Sequence, residues 1–191
     1  MNRILVACLA LILSSTVVLA QSTSKPTIRQ YTANDGSRAV ITPVGPSSES
    51  RVDIYTSHLD KVCSLDFASE DGEHGYVVAK AGWTADENFF VFSLENSGGH
   101  APWHTPIQFV SFGKYSPGFR QQVCLLDSYL DNPGITTPDF KLTTPNSITT
   151  RIYGASKDVT VSLSAITSQH PVNGKSRCVP CEYAKSVRFA P

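Results

Sequence analysis

Apolar and polar residues along this chain follow a two-residue period far more often than a helical one. The stretch Asp158-Val-Thr-Val-Ser-Leu-Ser-Ala-Ile166 alternates strictly from Val159 to Leu163, the pattern of a strand buried on one face. No run of a dozen residues sets apolar side chains at three- and four-residue spacing. Short runs of β-branched and aromatic residues recur instead, split by Gly, Pro, Asn and Asp. They predict strands at Thr27–Tyr31, Arg38–Thr42, Val52–Tyr55, Lys61–Phe67, Tyr76–Trp83, Phe89–Leu94, Ile107–Phe112, Gln122–Leu126, Phe140–Thr143, Ile148–Ile152 and Val159–Leu163. Many short strands with turn residues between them mean an all-β domain.

The strand pattern repeats. Val62-Cys63-Ser64-Leu65-Asp66 returns as Val123-Cys124-Leu125-Leu126-Asp127. Ahead of each lies a β run, Val52–Tyr55 and then Ile107–Val110. Ahead of those lies a turn feeding a strand, Ala33–Ile41 and then Thr84–Phe92. The order holds while the spacing grows, as in a repeat with loop insertions. The units cover about residues 27–67 and 78–130, with a degenerate third at 136–166.

The segment Gly82-Trp-Thr-Ala-Asp-Glu-Asn-Phe-Phe-Val-Phe-Ser93 resembles a β-propeller blade motif of the WD/TolB type, in which a Trp-Ser/Thr-x-Asp-Gly turn leads into an apolar strand. Glu87 stands where that motif has Gly, whereas Asp35-Gly36 in the first unit keeps it. The resemblance implies propeller-like blade repeats. Three units are fewer than the roughly four to eight blades that close a ring, so an open or compact variant is expected, with a β-sandwich of meanders as the alternative. Trp83, Phe89, Phe90 and Phe92 would then pack within and between sheets.

The ends of the chain change the picture of where it works. Residues 1–20 carry one charge, Arg3, and an apolar run closing on Val18-Leu19-Ala20. This is the form of a secretory signal peptide cleaved before Gln21, and it leaves 171 of the 191 residues, enough for one domain at 21–170. Residues 171–191 form a Cys-containing tail. A secreted or periplasmic location follows, with no membrane span after cleavage. The sequence holds 16 basic and 16 acidic residues. That balance gives no basic stripe for nucleic acid. Cys8 leaves with the leader, and Cys63, Cys124, Cys178 and Cys181 remain. Four cysteines in an exported chain predict two disulfides, with three pairings open. A bridge between Cys63 and Cys124, at matched repeat positions, is one. Cys178 and Cys181 staple the tail, either by bonding each other or by bonding Cys63 and Cys124. An open blade edge favours pairing with another chain or a covering segment, and the Cys178–Pro191 tail is the candidate cover.

Candidate chemistry concentrates in two loops. Ser97-Gly-Gly-His100-Ala-Pro-Trp103-His104 sets two histidines four apart, but the glycines and Pro102 exclude a regular helix. Ser69-Glu70-Asp71-Gly72-Glu73-His74-Gly75 is the second polar loop. If both sit on one rim, His74, Ser97, His100, Trp103 and His104 form a ligand-binding face, and His74, His100, His104 and Glu70 form the donor set of a Zn²⁺ site. The competing reading is structural, with Trp103 packed on the rim and the histidines bonded to loop carbonyls. Tyr115 and Phe119 add aromatic surface in or beside the insertion that holds residues 97–104. There is no Gly-x-Ser-x-Gly elbow, phosphate loop or dinucleotide fingerprint. The expectation is therefore an exported, non-catalytic binding module without a cofactor, taking a protein, peptide or carbohydrate ligand. The alternatives are a metal-dependent hydrolase on the histidine cluster and a thiol-disulfide protein on Cys178 and Cys181.

Overall fold

A computed structural model describes residues 27–98, 105–112, 122–126, 130, 134–168 and 178–180. The leader, His100, Trp103, His104, Tyr115, Phe119 and Cys181 lie outside the described residues. The all-β reading holds. Sheet I is a meander of β1 (Arg29–Thr32), β2 (Arg38–Val44), β3 (Glu49–Tyr55) and β4 (Lys61–Asp66). Sheet II repeats it with β5 (Tyr76–Trp83), β6 (Phe89–Asn96), β7 (Ile107–Ser111) and β8 (Gln122–Leu125). Sheet III has β9 (Lys141–Thr143), β10 (Ser147–Thr150) and β11 (Val159–Ser162), followed by α1 (Leu163–Ser168). The strand β12 (Cys178–Pro180) pairs antiparallel with β8, so part of the tail does cover an edge of sheet II. No described helix is long and apolar enough to cross a membrane.

The three sheets stack, and sheet II is the middle layer. Alternation on β2, β3 and β4 points Ala39, Ile41, Val52, Ile54, Cys63 and Leu65 at sheet II, where they meet Val78, Phe90, Phe92, Leu94, Val110 and Val123. The other face of sheet II carries Phe89, Val91, Ile107, Phe109 and Cys124 against Phe140, Ile148, Leu163 and Ile166 of the third unit. This explains the run Phe89-Phe-Val-Phe-Ser-Leu94, buried at every position. A strand covered on both faces has no polar side to alternate with. The aromatic residues of the repeat do pack between layers: Trp83 lies 5.1 Å from Phe90 and 4.9 Å from Phe112 between ring centroids, and its indole N–H donates to Tyr31 O on sheet I at 3.2 Å.

The sequence repeat maps strand for strand onto sheets I and II. Cys63 on β4 faces sheet II, and Cys124 on β8 faces sheet III. The two matched cysteines therefore lie on opposite sides of the middle sheet. That geometry does not suit the bridge between them, one of the three pairings left open by the sequence.

The first turn of each sheet lies at one end of the stack, and these turns are bonded in a row. Asn34 N–H donates to Glu87 Oε1 at 2.8 Å. Asp86 N–H donates to Pro145 O at 3.2 Å, and Asn146 Nδ2 donates to Asp86 Oδ2 at 2.6 Å. Glu87 takes the left-handed φ of 56° that the motif normally assigns to glycine, as Gly36 does at 87°. That conformation costs a non-glycine residue about 1–2 kcal/mol, and the bond from Asn34 gives Glu87 a role glycine could not fill. Burial raises the pKa of Asp86, but the donors Asn146, Thr84 and Asn88 outweigh it and hold its carboxyl below the usual range.

The unpredicted α1 begins where the alternation at Val159–Leu163 stops. Ser162 Oγ accepts the N–H of Ala165 at 3.4 Å, the position of a helix N-cap.

Candidate functional site

At the opposite end of the stack three loops converge: the β2–β3 turn at 45–48, the β4–β5 loop at 67–75, and the start of the β6–β7 loop at 96–98. The residue that gathers them is Glu49, the first residue of β3, which is 1% exposed. Its Oε1 accepts the Gly75 N–H at 2.8 Å, the Ser69 hydroxyl at 2.7 Å and the Ser97 hydroxyl at 2.6 Å. Its Oε2 accepts the Ser69 N–H at 2.6 Å. Burial pushes the Glu49 pKa up, but Ser97, Ser69 and Gly75 together hold the carboxyl below its ordinary value. A carboxylate accepting several hydrogen bonds is the expected case of a lowered pKa.

The loops also touch directly. Ser97 N–H donates to Gly75 O at 3.0 Å, and Gly98 N–H closes a turn on Asn96 Oδ1 at 2.9 Å. A Cβ at Gly98 would fall on the Glu73 carbonyl, so the approach requires glycine. Gly98→Ala is therefore expected to separate the loops and lower stability by about 1–3 kcal/mol. Urea unfolding measures the loss, and amide exchange at residues 69–75 should speed up in the variant. A change below roughly 0.5 kcal/mol would mean the loops are not in contact.

On this base the 69–75 loop presents a polar pair. Asp71 accepts the N–H groups of Glu73 at 2.9 Å and His74 at 3.2 Å, and its Oδ2 meets His74 Nδ1. The Glu73 N–H first, and His74 second, hold the Asp71 carboxyl far below its usual range. The side chains of His74 and Asp71 are 55% and 53% exposed, open to a ligand. Of the residues expected to line a ligand face, His74 and Ser97 are thus brought to one rim, while His100, Trp103 and His104 lie outside the described residues. Among the described residues no three His, Cys, Asp or Glu side chains form a group able to hold a metal ion. Glu70, expected in a Zn²⁺ set, is exposed on the same loop.

A second depression, of about 360 Å³, lies beside β9 and β10 and is lined by Thr137, Asp139, Lys141, Thr149 and Arg151. Three of its charged groups, Asp139, Arg151 and Asp158, are already engaged. Asp139 pairs with Lys80, and Arg151 with Asp158 at 2.7 Å. The loop rim is the better candidate, because loops on a rigid scaffold carry most binding sites.

Sequence reasoning found the two loops and missed Glu49, the residue that joins them. Comparison with family models, with curated proteins and with solved structures finds no match to this chain.

Proposed function

We propose that this chain is an exported, non-catalytic β-rich interaction module, delivered outside the cytoplasm by cleavage of residues 1–20. In this reading the stacked meanders are blade-like repeats in an open array, and the binding face is the rim of residues 69–75 and 96–106. The single observation that supports it is the Glu49 anchor. One buried carboxylate fixes Ser69, Gly75 and Ser97, so both loops are held in one arrangement before any ligand arrives. Pre-organisation of this kind lowers the entropic cost of binding. The exposed Asp71–His74 pair offers hydrogen bonds to a peptide or a sugar.

The test is a glycan and peptide array probed with the mature chain and with His74→Ala. At an exposed position the substitution should leave the melting temperature unchanged. Binding that weakens roughly tenfold or more in the variant supports the rim. Binding that His74→Ala leaves intact overturns it. Turnover of ester or peptide substrates that depends on added Zn²⁺ would replace this reading with the hydrolase.

A further inference from the structure

The C-x-x-C segment of the tail is explained by where β12 runs. Cys178 is the direct register partner of Cys124, with Val179 opposite Val123 and Pro180 opposite Gln122. Residues directly opposite on antiparallel strands have Cα atoms about 4.5–5.5 Å apart, inside the range a disulfide spans. Cys124 is fully buried in the second core and Cys63 is 3% exposed in the first. Both are in disulfide form, yet the middle sheet stands between them. Each therefore has a partner elsewhere, and the mature chain offers only Cys178 and Cys181.

We propose that the two tail cysteines are a two-sided clamp, Cys178 bonding Cys124 and Cys181 bonding Cys63. In an extended strand, residues an odd number apart fall on opposite faces. Cys181 follows the last residue of β12, and the proposal has the extended backbone run on through it, so that the C-x-x-C spacing sends one cysteine to each side of the sheet, which is what partners in two separate cores demand. The same spacing in a redox dithiol depends on a local turn that brings the two sulfurs together. Each bond forms by thiol–disulfide exchange: two thiols give up two protons and two electrons, and a donor disulfide of the oxidising compartment is reduced to two thiols. The clamp turns a three-residue edge strand, too short to hold by its ladder alone, into a fixed fifth strand of sheet II, and it ties that sheet to β4 of sheet I.

The proposal rests on loss of Cys8 with the leader, so the exported full chain is first checked for Gln21 as its N-terminus. Retention of residues 1–20 would overturn the export reading and is seen separately from the pairing. Non-reducing tryptic mapping should then give one linked cluster of peptides 62–80, 121–141 and 178–185, with no free thiol. Recovery of 178–185 as a closed ring, apart from the others, overturns the clamp. Paired variants settle which tail cysteine goes where. Cys63→Ala with Cys181→Ala should keep the link between 121–141 and 178–185. Cys63→Ala with Cys178→Ala should leave two thiols open to alkylation. The reverse result assigns the partners the other way and overturns the register argument. Partial reduction and differential alkylation of the unmutated protein gives the same answer if a variant fails to fold.

Discussion

Glu49→Ala is expected to lower stability by about 2–4 kcal/mol, because it leaves buried donors without an acceptor. The Ser69 and Gly75 N–H groups and the Ser97 hydroxyl all end on that one carboxylate. For a domain of this size the melting temperature should fall by on the order of 10 °C. Glu49→Gln should lose less, since one amide oxygen still accepts while its NH₂ faces donors. The pH dependence has a definite sign. The folded pKa lies below the ordinary value of 4.5, so the stabilisation is fully present above about pH 4.5 and is lost as pH falls through the folded value. The gap between the unmutated protein and Glu49→Gln should stay constant from about pH 7 to 5 and close in more acid solution. Urea unfolding across that range measures it. A gap that does not change with pH would show that Glu49 does not carry its charge in the fold.

Phe90→Ala should be costlier still, about 3–5 kcal/mol. Phe90 is fully buried in the layer between sheets I and II. Its ring meets Tyr31 at 5.6 Å, Trp83 at 5.1 Å and Phe92 at 6.0 Å between centroids. Those partners belong to both sheets, so the cavity cannot be filled by one side chain turning over. Phe90→Leu keeps most of the volume and should cost less than about 2 kcal/mol. Thermal and urea unfolding compare the two. Equal losses would mean that the position is not packed on all sides.

Most of the architecture was readable because it is local. Every predicted strand corresponds to an observed one, with ends shifted by a few residues, since alternation and turn residues are encoded within a dozen positions. The short α1 escaped because six residues cannot establish a helical period, and its Ser162 cap reads as one more polar position in an alternating run. The tail was expected to cover a sheet edge, but the strand β12 and its register escaped because its partner, β8, lies more than fifty residues earlier. The site was half legible. Loop composition marked residues 69–75 and 97–104, but Glu49 sits in a Pro/Gly/Ser turn region that looks solvated. Its partners are 20, 26 and 48 residues away, and only the stacking of the sheets brings them to it. Separation also hid the cysteine relation: matched positions in a repeat suggest proximity, yet stacked units carry matched residues in the same direction, each facing the next layer.

The outward faces of the terminal sheets decide how long such a stack can grow. On sheet I, Asp53 is held by the Ser64 hydroxyl at 2.6 Å, Arg51 at 3.3 Å and Lys61 at 3.6 Å. On sheet III, the Thr149 and Thr160 hydroxyls bond to each other at 2.8 Å. Both surfaces carry polar and charged groups, unlike the apolar faces sealed inside. They act as end caps of a one-dimensional array. Without them each molecule would offer its last layer to the first layer of another, and a contact of that kind does not close on itself but propagates as a fibre.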